Sequence, residues 1–483
     1  MAAQETFYWH DYETTGIDPA RDRPLQFAGL RSDLDLNPVG EPLTLYCRPA
    51  DDLLPAPEAC LITGITPQLA RERGVCEAEF IARIHAELAR PGTCALGYNS
   101  LRFDDEVTRH TLYRNLHDPY AREWRDGNSR WDLIDLVRTV HALRPDGIAW
   151  PRRDDGTTSF RLEELTVANG LEHGQAHDAL ADVRATLALA RLLRERQPRL
   201  WAYLFDLRRK QAVGRLLDLR AMTPLVHVSG RYPASRGCLA VVVPVARHPV
   251  NDNAVIVYDL AADPAALDGL DGTAMAERVF SRADALPDGS ERIPLKQVRV
   301  NRCPVLAPLN VLRAQDAERL GIDRDACARH LEQLRRQPDL AARVAAAFAP
   351  PPGPAPDDPD DQLYAGPFFG DDDRRRLAAL RALPPERLGE PLPPFDDPRL
   401  PEMVLRYRAR NWPGSLDAAA RAAWQAFRRQ RLTDPAAARG RTLAAYFERI
   451  VALRAERAGE PDAGAVLDAL EAWGRELEAG LAD

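Results

Sequence analysis

Lysine is almost missing from this chain. Of its 64 basic residues only Lys210 and Lys296 are lysines; the rest are arginines. Arginine forks suit phosphate oxygens and stack on flat rings, so this scarcity leaves phosphate chemistry open. Long apolar runs are also missing. The longest, CLAVVVPVA from Cys238, is about half of the ~20 residues that cross a bilayer, which predicts a chain with no membrane span. The opening MAAQETFYWHDYE has neither a basic n-region nor an apolar h-region, so no signal peptide is expected and the cytoplasm is the expected compartment. Seven cysteines stand scattered, odd in number and never spaced C-x-x-C. That pattern argues for reduced thiols and against zinc. Positive net charge is absent too: the formal value is −8, which is not the footprint of a generic nucleic-acid binder. A basic groove on an acidic surface is the pattern that arginine-rich, net-acidic composition still permits. No internal repeat occurs. What remains is ordinary globular composition, 45% hydrophobic and 28% charged over 483 residues. That length suggests about two to four domains.

Five residues in the first 182 positions organise the reading: Asp11, Glu13, Asp104, His177 and Asp182. FYWHDYE alternates before a TTG turn and reads as a strand ending in a loop. Residues i and i+2 of a strand share a face, so Asp11 and Glu13 project together. Alone, the pair fits either two solvated acids on an edge strand or ligands of a shared cation. Asp104 follows the short strand CALGYN and opens FDDEVTRHTLYRNL, a helix. It fits an N-cap or a metal ligand, with Asp105 as a neighbouring competitor. DALADVRATLALARLLRER from Asp178 is an amphipathic helix with Leu180, Val183, Leu187 and Leu193 on its stripe. Asp182 borders that stripe among the small residues Ala179, Ala185 and Thr186. A buried acid there needs a counter-charge, and a metal ion is one. His177 falls just before the helix. Four acids and one histidine suggest two divalent metals and a general base, the means of cutting a phosphodiester.

The patterns D-x-E, N-x-x-x-F-D and H-x(4)-D resemble the DEDDh 3′→5′ exonuclease superfamily. The stretches HDYETTGIDPARDRPLQFA, LITGITP, GYNSLRFDDEVTR, NSRWDLIDLVR, SFRLEELT, AHDALADV, LVHVSG, NRCPVLAP and YRARNWPGSL resemble bacterial exonuclease I, in order, from residue 10 to about 416. The resemblance implies an α/β RNase H-like exonuclease domain, then a β-rich SH3-like domain, then an α-helical C-terminal domain. It implies hydrolysis of single-stranded DNA from its 3′ end to 5′-mononucleotides, in DNA repair and recombination. It implies Asp11, Glu13, Asp104 and Asp182 around two Mg²⁺ ions, with Mn²⁺ as a substitute, and His177 as the base. It places Ile62 and Ile65 of LITGITP against the terminal base, with burial beneath the sheet as the alternative. It places Arg161 on a substrate phosphate, with a pair to Glu163 or Glu164 as the alternative. It also implies a pocket for the acidic C-terminal tail of single-strand-binding protein, with Arg144, Tyr203 and Arg313 at matching positions. Thr223 stands there where a lysine would help.

Elements follow the same reading. Strands are expected at 7–12, 25–32, 43–48 and 94–98, and helices at about 77–90, 104–116, 131–143, 161–169 and 178–196. LITGITP reads as a turn-rich loop. Asp132 and Asp135 read as acids near the site but not ligands. Pro198 breaks the helical pattern, and residues 198–349 read as β-rich with helical insertions such as 323–349. His227, Tyr232, Arg236, His248 and Lys296 are its candidate DNA contacts. APPPGPAPDDPDD reads as a linker, giving domains at 1–196, 198–349 and 373–483 with a linker at 350–372. The last domain reads as helices, whose arginines either close over a groove or face solvent. A monomer is expected. An exoribonuclease, a silent single-strand-binding scaffold and a metal-dependent phosphatase are the rival readings.

Overall fold

The computed structural model describes residues 4–172, 178–286, 291–349, 353, 356–391, 394–438 and 440–481. It divides into two units. One comprises Met1–Ser129, Gly174–Arg184 and Pro354–Asp483; the other comprises Arg130–His173 and Ala185–Gly353.

The first unit begins with β1 (Thr6–Thr14), β2 (Pro24–Ser32) and β3 (Leu43–Tyr46). Then come α1 (Pro57–Thr63), α2 (Pro67–Arg73), α3 (Glu77–Leu88), β4 (Thr93–Gly97) and α4 (Asp104–Arg114). The strands lie in the order β3-β2-β1-β4, antiparallel except that β1 and β4 run parallel. Tyr8, Tyr12 and Phe27 of this sheet pack with Phe80, Ile81 and Ile84 of α3 and with Val107 and Leu112 of α4. The four expected strands and the helices at α3 and α4 are all present. LITGITP is not a loop: Leu61 to Thr63 complete α1, and Pro67 opens α2. Proline at a helix's first position starts it, and Gly64, at φ 70°, closes α1 in the left-handed region.

The chain continues through β5 (Ser129–Asp132), α5 (Leu133–Leu143), α6 (Leu162–Ala168) and α7 (Ala179–Arg196). The expected helix at 131 starts two residues late because Trp131 and Asp132 belong to β5. Asp132 is a helix cap, its Oδ1 accepting from Ile134 N at 3.2 Å. Beyond Pro198 the chain is not yet strand: Pro198 starts α8 (Pro198–Asp206), and α9 (Lys210–Leu216) follows. The strands are β6 (Leu225–Val228), β7 (Leu239–Arg247), β8 (Ala254–Asp259), β9 (Leu295–Arg299) and β10 (Val305–Pro308), with α10 (Gly272–Phe280) after β8. They form an antiparallel sheet ordered β10-β6-β7-β8-β9. The helices α11 (Ala314–Arg319), α12 (Arg324–Arg336) and α13 (Leu340–Ala347) end this unit.

The last helices return to the first unit: α14 (Asp371–Arg381), α15 (Leu400–Asn411), α16 (Ala418–Thr433), α17 (Leu443–Glu456) and α18 (Pro461–Ala479). Leu54 and Cys60 join Leu443, Tyr446, Ile450 and Leu470 in one apolar cluster. Beside it lies a buried lattice of charges. Asp52 accepts from Arg410 at 2.8 Å, and Asp360 accepts from Arg410 at 2.7 Å and Arg406 at 3.0 Å. Glu77 takes Arg114 at 3.2 Å and Arg23 at 3.3 Å. Asp52 and Asp360 are 0% and 2% exposed. Arg406 and Arg410 therefore neither face solvent nor stand open for DNA. The acidic end of the expected linker is pinned into this lattice through Asp360.

Among the described residues, no helix is long and apolar enough to cross a membrane.

Candidate active site

β1 delivers two of the acids. It pairs with β2 through Asp11↔Ala28 and Glu13↔Gln26, and its register slips between Glu13 and Thr14, where the strand ends. The TTG turn follows: Thr14 Oγ1 donates to Gly16 O at 2.6 Å. Gly16 has no room for a side chain, since a Cβ there would lie 2.4 Å from Asp22 Oδ2. The turn thus pulls the chain away sharply and leaves Asp11 and Glu13 at an open strand end.

α7 delivers the third. Asp178 Oδ1 accepts from Leu180 N at 3.0 Å and caps the helix. Asp182 lies in the first turn, with buried Ala179, Ala185 and Thr186 around it. Ligand oxygens of Asp11, Glu13 and Asp182 fall within 4.8 Å of one another. Strand end and helix start, some 170 residues apart in sequence, are brought to one point, so Asp11, Glu13 and Asp182 meet as the resemblance implies.

Asp104 approaches from the β4 side. β1 and β4 pair only as far as Trp9↔Leu96. Past that point Tyr12 N has lost its strand neighbour, and Asp104 Oδ1 accepts its hydrogen at 3.1 Å. Asp104 is 3% exposed and is the first residue of α4, with Phe103 at the cap position, so it is not an N-cap. Asp105 is removed from competition by Arg122, whose Nη2 donates to it at 2.6 Å. His177 lies outside the described residues.

The electrostatics are one-sided. Burial pushes the Asp11 carboxyl well above its ordinary range, and Asp104 and Asp182 push it further. Burial likewise raises Glu13 to about 9, helped by Asp11, Asp182 and Asp178. The leading charges acting on these two groups, among the described residues, are other carboxylates. Acids this close ionise together only beside a cation, and hard oxygen donors suit a divalent one.

Three family descriptions cover this chain: exonuclease (RNase_T) over residues 8–190, exonuclease I SH3-like domain over 208–350, and exonuclease I C-terminal domain over 357–477. Over 475 residues the chain is 48% identical to exodeoxyribonuclease I of Escherichia coli K12, spanning 98% of each. The chain belongs to the exodeoxyribonuclease I family. It is therefore a DNA exonuclease, and the expected order of exonuclease, SH3-like and helical domains is the order found. The exonuclease I of Methylocaldum szegediense superposes with a TM-score of 0.94 at 55% identity, covering 98% of this chain and 99% of that one. E. coli exonuclease I in complex with a dA16 oligonucleotide gives 0.94 at 48%, covering 98% and 100%.

Other residues singled out in this exonuclease sequence divide. Ile62 is 60% exposed, whereas Ile65 is 4% exposed and packs with Leu25 and Ala70. Ile65 thus has no face left for a base; the short connector between α1 and α2 carries it inward. Arg161 stands before α6, exposed, with Nη1 3.5 Å from Glu164 Oε1. Arg144 and Arg313 converge on buried Asp316, at 3.7 and 2.6 Å. Tyr203 donates to Leu306 O at 2.9 Å. His227 is not a surface group: it is 3% exposed, with Nδ1 2.7 Å from Val305 O and Nε2 2.9 Å from Lys296 Nζ. Arg236 is paired with Asp259 at 3.2 Å. The two features that sequence reading missed are the Tyr12 amide and the Asp105–Arg122 pair. Neither has a local signal, since the partners lie 92 and 17 residues apart.

Proposed function

We propose that this exonuclease degrades single-stranded DNA from the 3′ end to 5′-mononucleotides, with two Mg²⁺ ions. The observation that carries the reading is the convergence of the Asp11, Glu13 and Asp182 carboxylates at one point, where burial and neighbouring acids raise Asp11 and Glu13. Asp11 and Asp182 would hold one ion, and Asp11 and Glu13 the other, with Asp104 acting directly or through water. When bound, the ions activate a water and offset the charge that develops on the leaving 3′ oxygen. His177 takes the proton of that water, a role suited to a group that titrates near neutrality. Ile62 offers an apolar surface to the terminal base, and Arg161 a guanidinium to a phosphate. The family's complex with dA16 supports the substrate class.

The same proposal assigns the exonuclease domain to residues 1–196, the SH3-like domain to 198–349, a linker to 350–372 and the helical domain to 373–483. It places the protein in the cytoplasm, as a monomer that works in DNA repair. Arg144 and Arg313, with Tyr203, are assigned to the acidic tail of single-strand-binding protein. Two guanidinia on one buried acid leave donors for a second carboxylate.

The test is Mg²⁺-dependent degradation of 3′- and 5′-labelled single-stranded DNA, with duplex and RNA controls, by wild type and Asp182→Ala. Mononucleotide release from the 3′ end, abolished by the substitution, is expected. Faster loss of RNA would favour an exoribonuclease, and binding without cleavage in any divalent metal would favour a scaffold.

A further inference from the structure

Behind the acids lies a buried ion pair that the reaction does not use. Asp105 and Arg122 meet at 2.6 Å, with side chains 2% and 0% exposed. The next acid, Glu123, has Oε1 3.8 Å from Arg122, but both its oxygens are taken by Arg109 at 2.6 and 2.7 Å. Asp105 is therefore the carboxylate that Arg122 holds by hydrogen bond. Arg122 is itself anchored: its carbonyl accepts from Asn128 Nδ2 at 3.1 Å, and Asn128 Oδ1 accepts from Thr93 N at 2.9 Å, at the start of β4. A continuous path results. It runs from β4 through Asn128 and Arg122 to Asp105, then one residue back to Asp104 and on to the Tyr12 amide. That amide lies between Asp11 and Glu13. Thr108 closes the other side, its Oγ1 2.8 Å from Asp104 O and 3.0 Å from Tyr12 Oη.

A buried ion pair adds little net stability, because desolvation offsets the attraction. Its effect here is directional. We infer that the Asp105–Arg122 pair is a positioning element for the metal site. It fixes the rotation of the first turn of α4, so that Asp104 meets Tyr12 N and holds the end of β1 at the spacing that Asp11 and Glu13 need toward Asp182. This inference rests on the metal reading above. Neither residue touches the metals or the DNA; both act through Asp104.

The test is calorimetric titration of DNA-free protein with Mn²⁺, alongside kcat and KM on a single-stranded oligonucleotide and a melting curve. Asp105→Asn is expected to weaken Mn²⁺ binding roughly tenfold or more, the scale seen when groups that orient ligands are removed. It is expected to lower kcat and leave KM unchanged. Arg122→Lys, which keeps the charge, is expected to lose less Mn²⁺ affinity than Arg122→Met. Where Asp105→Asn does not fold, the double variant Asp105→Leu/Arg122→Met leaves no buried charge unpaired, and the same titration is read on it. Wild-type Mn²⁺ affinity in a folded variant would overturn the inference. So would failure of both variants to fold, which would make the pair a folding determinant. Absence of Mn²⁺ binding by wild type is a separate outcome, and it would remove the metal reading itself.

Discussion

Two clusters of buried acids lie in the first unit, and they solve opposite problems. Asp52, Glu77 and Asp360 are surrounded by arginines. Burial alone would raise them, but Arg410, Arg23, Arg431, Arg114 and Arg406 outweigh it and hold all three carboxyls low, Glu77 at about 2. For Asp11 and Glu13 the leading neighbours among the described residues are other acids, and the same burial drives them up. The first cluster carries its own counter-charge and so serves the fold. The second gathers its carboxylates where a metal ion can be held. A buried carboxylate is thus informative less by its burial than by the sign of what lies within reach of it.

The largest expected effect separates the two clusters by activity. Asp11→Asn should cost at least about 10³-fold in kcat, because a catalytic cation supplies several kcal/mol and each ~1.4 kcal/mol is tenfold. It should also raise the melting temperature of the protein in EDTA, since one of the crowded acids is gone. A metal-free Asp11→Asn protein that melts below wild type would break the contrast.

Next is stability. Asp52→Asn leaves Arg410 and its neighbours without a full counter-charge, and removing one member of a buried pair costs about 3–5 kcal/mol. Urea unfolding should show that loss, while the folded fraction keeps its Mn²⁺ affinity. An unchanged midpoint would mean that the lattice contributes nothing.

The pH windows should oppose each other. Glu13 moves up from 4.5 to about 9, so the folded state holds a proton that the unfolded chain releases. Metal-free protein therefore loses stability as pH climbs from about 5 to 9. Glu77 moves down from 4.5 to about 2, with Asp52 and Asp360 also lowered, so their contribution is present above about 4.5 and lost as pH falls toward 2. Melting temperature against pH should rise and fall accordingly in EDTA, and Mg²⁺ should flatten only the alkaline limb. Identical alkaline limbs with and without Mg²⁺ would show that Glu13 and Asp11 do not meet the ion.

The smallest effect concerns the two isoleucines. Ile65→Ala should cost about 2–5 kcal/mol as a core truncation. Ile62→Ala should leave unfolding unchanged and raise KM for single-stranded DNA a few-fold. Equal destabilisation by both would place Ile62 in the core as well.

Much of the site was readable in sequence because it is built from short local rules. Alternation placed Asp11 and Glu13 on one face, and helical period placed Asp182 among small residues. Ile65 was not readable, since it sits in the connector between two short helices, and its packing on Leu25 and Ala70 appears only in three dimensions. The arginines at 406 and 410 look like any exposed helix charges, because their partners Asp52 and Asp360 are distant in the chain. Asp104 was placed correctly, but its bond to the Tyr12 amide depends on where β4 stops pairing, which no spacing records.

The first unit is made of three chain segments, with the two segments of the second unit lying between them in sequence. Translation meets these pieces in a fixed order. When Gly353 has left the ribosome, the second unit has all its residues, whereas Leu54 and Cys60 still wait for Tyr446 and Leu470, and Asp52 waits for Arg410. Domains generally fold as units during synthesis, N-terminal first. Here the order is reversed: the strand bearing Asp11 and Glu13 is translated first, yet the unit around it closes last. A nuclease assembled this way carries its acids early in the chain and receives last the helices that pack on α1 and pair with Asp52.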